Sequence, residues 1–308
     1  MSLENVHQHH AYNHKAGSGI EKRLIWALGI TFGIFGLEII GGFLSNSLAL
    51  KSDAGHLFGD VMALGLSLLA VRISLRPAST RRTFGLKRAE VLAAMINGFT
   101  LIGLAVYIFI EAYHRLLQPE PIKSIMMLTV AVIGLAGNSI VVLRLQSHAR
   151  ENINVRAAFL HVIGDMLASV GVVIGGLIML MTGNYLADPL ISFFVGTIIF
   201  YGAFGVLKEG ANILLEGVPG NVDYDLLKAD MEKIEGVLSV HDLHIWTISS
   251  SNLVLSAHVR VPDQPTHASQ RIVRSVSEFL RTKYKIHHAT LQIECECCSE
   301  LDCGCAVF

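Results

Sequence analysis

Two short runs, HLFGD at His56–Asp60 and HVIGD at His161–Asp165, each place an imidazole and a carboxylate four residues apart, with a glycine before the aspartate. On an α-helix a four-residue step brings two side chains onto one face, one turn apart. Two such helices packed face to face offer two imidazoles and two carboxylates. That is the donor set of a tetrahedral divalent site, suited to Zn²⁺ or Co²⁺, and the lack of cysteine in these segments argues against Cu(I). Both runs lie in apolar surroundings, where a carboxylate near the bilayer centre costs roughly 2.5 to 3.5 kcal/mol. A doubly charged ion offsets two buried carboxylates, and protons can take its place when it leaves. One such pair reads equally well as interhelical hydrogen bonding; two copies on separate helices point to metal.

Elements able to hold these residues recur along the chain. Of its 308 residues 52% are apolar and 16% charged, a balance outside that of ordinary soluble domains. Apolar runs cover 24–46, 48–74, 89–117, 123–146, 156–182 and 187–207, each long enough for the roughly 20 helical residues that cross a hydrocarbon core. The pattern predicts a membrane α-helical protein with six transmembrane helices, the two His-x-x-x-Asp runs falling on the second and fifth. Arg76, Arg81, Arg82, Lys87 and Arg88 follow the second helix, and Arg144, Arg150 and Arg156 lie around the link after the fourth. This placement of positive charge predicts cytoplasmic termini; Arg115 and Lys123 run against it. A formal net charge of −1 gives no reason to expect nucleic acid as a partner. The N-terminal segment lacks the apolar core and cleavage site of a signal peptide, so the first helix is expected to stay.

Past Lys208 the pattern changes. Pro219 and Gly220 precede an amphipathic helix, LSVHDLHIWTIS and LVLSAHVRV alternate as a hairpin does, ASQRIVRSVSEFLRTKY reads as a second helix and HATLQIEC as a third strand. This order predicts a small α+β layer of αββαβ, ferredoxin-like type. Cys295, Cys297, Cys298, Cys303 and Cys305 crowd into the last fourteen residues, which reads as reduced thiols rather than a disulfide framework. Within the apolar runs, Glu38, Asn97, Glu111 and Asn138 read either as the lining of a watery path or as interhelical contacts. Asp53, one turn before His56, is expected near the helix entrance as a capping or interfacial acid, with an orienting role toward His56 as the alternative. Asp188 is expected to cap the sixth helix, with Pro189 in its first turn.

The runs SNSLALKSDAGHLFGD, RRTFGLKRAEVLAA, HVIGDMLASVGV, ADPLIS, LLEGVP and VHDLHIW, in that order between about residue 20 and residue 296, resemble the cation diffusion facilitators. That family includes bacterial zinc, cobalt and cadmium exporters and vertebrate zinc transporters. The resemblance implies a transport site between the second and fifth helices at His56, Asp60, His161 and Asp165, zinc selectivity from two His and two Asp, homodimers, and exchange of metal for protons. It implies a second, regulatory Zn²⁺ cluster in the cytosolic domain at His241, His258, His287 and Glu294, joined by tail thiols, of which Cys298 with Cys303 or Cys305 are the candidates. His7, His9, His10 and His14 match a vertebrate His-rich motif that reaches the partner's C-terminal site; they read equally as a loose metal-gathering tail or a plain chain end. The loop RPASTRRTFGLKRAE has no histidine, so the extra loop site of some bacterial relatives is expected to be missing, as is the long His-rich insert of many vertebrate ones.

These readings converge on a transporter rather than an enzyme. The expectation is a proton-coupled antiporter exporting Zn²⁺, with Co²⁺ or another divalent cation also possible as cargo, working as a homodimer in membrane lipid. Its expected parts are a His-rich cytosolic tail (1–22), a six-helix transmembrane domain (23–208), a cytosolic α+β regulatory and dimerisation domain (209–296) and a Cys-rich tail (297–308). A multi-pass position in a bacterial plasma membrane is expected. The alternatives are a membrane zinc sensor or receptor and an intramembrane metallohydrolase. Against the hydrolase stand four ligands where catalytic zinc has three and an open position, and the absence of a His-Glu-x-x-His run.

Overall fold

The computed structural model describes residues 26, 28–74, 76–146, 153–249 and 252–295. Six long helices come first: α1 (Leu28–Ser45), α2 (Leu48–Ser74), α3 (Ala89–Leu117), α4 (Ser124–Gln146), α5 (Ile153–Thr182) and α6 (Ala187–Leu214). After them follow α7 (Tyr224–Glu232), β1 (Ser239–Ser249), β2 (Asn252–Val261), α8 (Thr266–Lys283) and β3 (His288–Cys295). The described residues form two compact units, one running to Gly65 and resuming over Asn97–Phe204, the other made of Leu66–Ile96 and the chain from Gly205 onward.

Every helix of the first six except α2 is long and apolar enough to cross a membrane. The 27-residue α2 has the length, and Lys51, Asp53, Asp60 and Arg72 dilute its apolar character. Ile125, Leu143, Met181 and Phe194 all stand largely exposed on these helices, an outer surface that suits lipid and would aggregate in water. Inside, Ala49 and Leu50 of α2 pack with Met127, Val130 and Ala131 of α4 and Val172 and Met179 of α5. Ala105 and Ile108 of α3 meet Val195 and Ile199 of α6. Two glycines of α2 face leucines of α3. A Cβ on Gly59 would lie 2.5 Å from Leu101 Cδ2, and one on Gly55 2.8 Å from Leu104 Cδ2. His56 and Asp60 lie one residue step, about 100°, round the helix from this glycine face.

The turn between α1 and α2 is tied to α3 and α6. Asp188, expected to cap its own helix, lies inside the first turn of α6 and caps α2 instead. It accepts hydrogen bonds from Ser47 Oγ (2.6 Å), Leu48 N (2.7 Å) and Ala49 N (3.1 Å). Orphan amides at a helix start demand acceptors, and α2 finds this one on another helix because the short turn brings its first residues against α6. Arg115 joins the same knot, donating to Glu111 Oε1 (2.9 Å) and to the carbonyl of Asn46 (2.7 Å), with Glu120 Oε2 at 3.2 Å and Asp188 Oδ2 at 3.7 Å. Its departure from the charge rule is thereby explained, because the guanidinium is buried and neutralised by three carboxylates. Asn46 takes a left-handed φ of 59°, which its side chain tolerates better than most.

In the second unit β1 and β2 pair antiparallel and β2 and β3 parallel, in the order β1-β2-β3. The element order read from the sequence is the order observed. A parallel pair needs a crossover, which α8 supplies; it buries Ile272, Val276 and Leu280, spaced by four residues, against Val240, Leu255 and Val259. Asp223 caps α7 by accepting from Leu226 N at 3.0 Å. Asp230 of α7 accepts from Lys283 Nζ, from Tyr284 Oη at 2.7 Å and from Lys233 Nζ at 3.0 Å, tying α7 to the end of α8. The Lys283 ammonium, aided by Tyr284 and Lys233, holds the Asp230 carboxyl well below the usual carboxylate range. Burial and the hydrogen bond to Asp230 push the Tyr284 phenol up to about 12.

Candidate metal centre

On α2, His56 and Asp60 sit one turn apart, and Asp165 of α5 meets them: a donor atom from each of the three lies within 4.8 Å of the other two. His56 Nε2 is 3.3 Å from Asp165 Oδ1. Metal bonds of about 2.1 Å place tetrahedral donors about 3.4 Å apart, so this pair already has the spacing of two ligands on one ion. Asp165 is buried, His56 and Asp60 partly so. His161 occupies the position one turn before Asp165 on α5, and its side chain lies outside those described.

Asp53 is not an interfacial acid. It is 3% exposed and accepts from Ser169 Oγ at 3.2 Å, while Asn138 Nδ2 lies 3.4 Å from that same hydroxyl. The cause is the packing of α4 and α5 over this stretch of α2, which excludes water and brings Ser169 to the carboxylate. Nothing in the sequence around Ser169 marks it as a partner, because the contact joins residues far apart along the chain. Of the other polar residues, Glu111 is a partner of Arg115, and Glu38 is wholly buried.

A second group lies on the sheet. Donor atoms of His241, His258 and Glu294 also come within 4.8 Å of one another. Glu294 Oε2 is 3.1 Å from His241 Nε2, and its Oε1 is 2.8 Å from His258 Nδ1, so one carboxylate engages both imidazoles. Strand pairing explains the meeting: His241 stands opposite His258 in the β1–β2 ladder, and Glu294 pairs with Arg260 two residues along β2. Between His241 and His244 the register shifts, with Asp242 at a φ of 48°. This bulge turns Asp242 toward the group, 3.4 Å from His258 Nε2 and 3.0 Å from His244 Nε2. The sequence offers only the adjacency of Asp242 to His241 as a sign of it. His287 stands just before β3, exposed, about 23 Å along the strand from Glu294 at 3.3 Å per residue, so within one chain it lies outside this group. Cys298, Cys303 and Cys305, and likewise His7, His9, His10 and His14, fall outside the described residues.

The model of the cation efflux transmembrane domain matches residues 24–215, and that of the cation efflux protein cytoplasmic domain matches 219–296. The chain belongs to the cation efflux family. Among family members, a cadmium, cobalt and zinc/H(+)-K(+) antiporter of Bacillus velezensis is 41% identical over 92% of this chain and 91% of its own length. Zinc transporter ZitB of Escherichia coli is 40% identical over 97% and 95%. The metal cation efflux system protein CzcD of Cupriavidus metallidurans is 39% identical over 95% and 92%. Cation efflux membership makes the chain a multi-pass membrane transporter, and both groups of donors fall within the matched regions.

Proposed function

We propose that this chain exports Zn²⁺ from the cytosol in exchange for protons, with Co²⁺ or Cd²⁺ as further cargo. The observation that carries the reading is the meeting of His56, Asp60 and Asp165 from two membrane helices within donor reach of a single ion. His161, one turn before Asp165, is the fourth ligand. Deprotonated, these groups bind the ion from the cytosolic side; relative movement of α2 and α5 opens the site to the far side, where protons displace it. The names of the relatives, a zinc transporter and a cadmium, cobalt and zinc/H(+)-K(+) antiporter, support zinc as cargo and include the proton as a counter-ion beside K(+).

The cytosolic domain works as the pairing face of a homodimer, with both termini in the cytoplasm and the protein in a bacterial plasma membrane. His241, His258 and Glu294 fit a regulatory Zn²⁺, having two imidazoles and one carboxylate, with the Asp242 carboxylate 3.4 Å from His258. A tetrahedral ion there takes one further donor, drawn from the tail thiols Cys298, Cys303 and Cys305, from the histidines His7, His9, His10 and His14, or from His287 of the partner subunit.

Zinc uptake into proteoliposomes, driven by an imposed pH gradient, tests the reading. The wild-type chain accumulates Zn²⁺ and collapses the gradient, and the double variant Asp60→Ala with Asp165→Ala does neither. Equal flux in the two proteins overturns it; binding without flux in the wild type makes the chain a sensor instead.

A further inference from the structure

Glu38 of α1 is a carboxylate with none of its surface exposed, and neither oxygen has a hydrogen-bond partner among the described residues. The carboxyl lies against α4. On α4, a Cβ at Gly134 would lie 2.5 Å from Glu38 Oε1, so a side chain there would move the carboxyl group from its present place. One turn further along α4 is Asn138, also buried, whose Oδ1 accepts no hydrogen bond and whose amide continues to Ser169 and Asp53. Among the described residues, the charged groups that act on Glu38 are Asp53 of α2 and Asp165 of α5, both carboxylates; α4 carries no charged residue near Gly134.

Among the described residues, an ionised carboxylate in such a place has no solvent, no hydrogen bond and no counter-charge. Each lack alone costs several kcal/mol, and two neighbouring carboxylates add repulsion. The group is tolerable when it is neutral, or when a cation stands close by. The cation is the cargo ion.

We propose that Glu38 is a seat for one of the exchanged protons, neutral while the His56–Asp60–Asp165 site is empty of metal and ionised while the ion is bound. This rests on the transport reading above. Zn²⁺ entering the site brings two positive charges toward Asp165, and the Glu38 proton leaves to solvent; departure of the ion restores the need for it. Glu38 takes no place among the ligands. It makes the site's occupancy by metal and its own occupancy by a proton mutually exclusive, which is the thermodynamic requirement of antiport.

The test is to count protons. Zn²⁺ is titrated into the full-length protein in lipid nanodiscs, in buffers of differing ionisation enthalpy, and protons released per ion bound are obtained by calorimetry. Glu38→Gln is expected to bind Zn²⁺ while releasing roughly half a proton or more fewer per ion than wild type at some pH between about 6 and 8, with an affinity that depends less steeply on pH. Gly134→Ala keeps the carboxyl and displaces it, and is expected to shift the pH profile of proton release. Equal proton release in wild type and Glu38→Gln, or loss of Zn²⁺ binding in a folded Glu38→Gln, overturns the proposal. Should Glu38→Gln fail to fold, an unchanged profile in Gly134→Ala overturns it. Absence of Zn²⁺ binding in the wild type defeats the transport reading itself, and is seen separately.

Discussion

The two donor groups use the same chemistry, imidazole and carboxylate, on unlike supports. In the cytosolic domain the donors stand on three strands locked by a hydrogen-bonded ladder, and one carboxylate bridges both imidazoles before any ion arrives. In the membrane they stand on two helices with no backbone hydrogen bond between them, so their spacing follows helix position. A ladder cannot slide by less than a residue without losing its bonds, whereas packed helices shift by an ångström or two at small cost. The first support suits an ion that is to be kept and the second an ion that is to be released.

Variants can break this contrast. The largest effect is expected from His56→Ala, which should weaken Zn²⁺ binding at the membrane site by about 100-fold or more, given that losing outer partners of a ligand alone costs roughly 10- to 100-fold; radioactive zinc flux would measure it. Asp188→Ala should loosen the support without touching a donor. It leaves Arg115 short of a partner and the α2 amides uncapped, and is expected to cost about 3 kcal/mol or more in detergent unfolding while the sheet group keeps its metal affinity. Glu294→Gln should remove the stabilisation that Zn²⁺ gives the cytosolic domain, about 2.7 kcal/mol at a concentration one hundred times Kd, read as a lost thermal shift, with affinity at the membrane site unchanged.

The smallest effect concerns pH. Asp230 is held below its unfolded value, so its contribution is present above the ordinary carboxylate range and is lost as pH falls through that range toward the folded value. Tyr284 works in the opposite sense: raised to about 12, it contributes fully at neutral pH and its share disappears only in strong alkali. Asp230→Asn should therefore lower the domain's melting temperature at neutral pH and flatten its fall in acid, and differential scanning at pH values from neutral to acid would show a curve no flatter than wild type if this is wrong.

What the sequence discloses and what it hides divide along the same physical line. The His56–Asp60 pair could be read because helical period is local, and the αββαβ order because alternation and amphipathic spacing are local too. Even the repeated glycine carries two meanings that spacing cannot separate: Gly59 is pressed against Leu101, while a Cβ at Gly164 would meet nothing within 4 Å. Asp188 as a cap for α2, Ser169 as the partner of Asp53, and Asp242 swung in by a bulge all depend on contacts between distant segments or on a register slip. A polar residue in an apolar run announces that it has a partner without saying which.

The Asp188 cap has a mechanical consequence. With Ser47, Leu48 and Ala49 fastened to α6, and Asn46 to Arg115, one end of α2 is a pivot. From Leu48 to Asp60 is about 18 Å of helix at 1.5 Å per residue. A swing of about 10° at the fastened end carries Asp60 by about 3 Å along the arc of that radius, comparable with the gap between two ligands on one ion. If His56, Asp60 and Asp165 hold the cargo as proposed, the helix is a lever whose short throw is enough to open that grip.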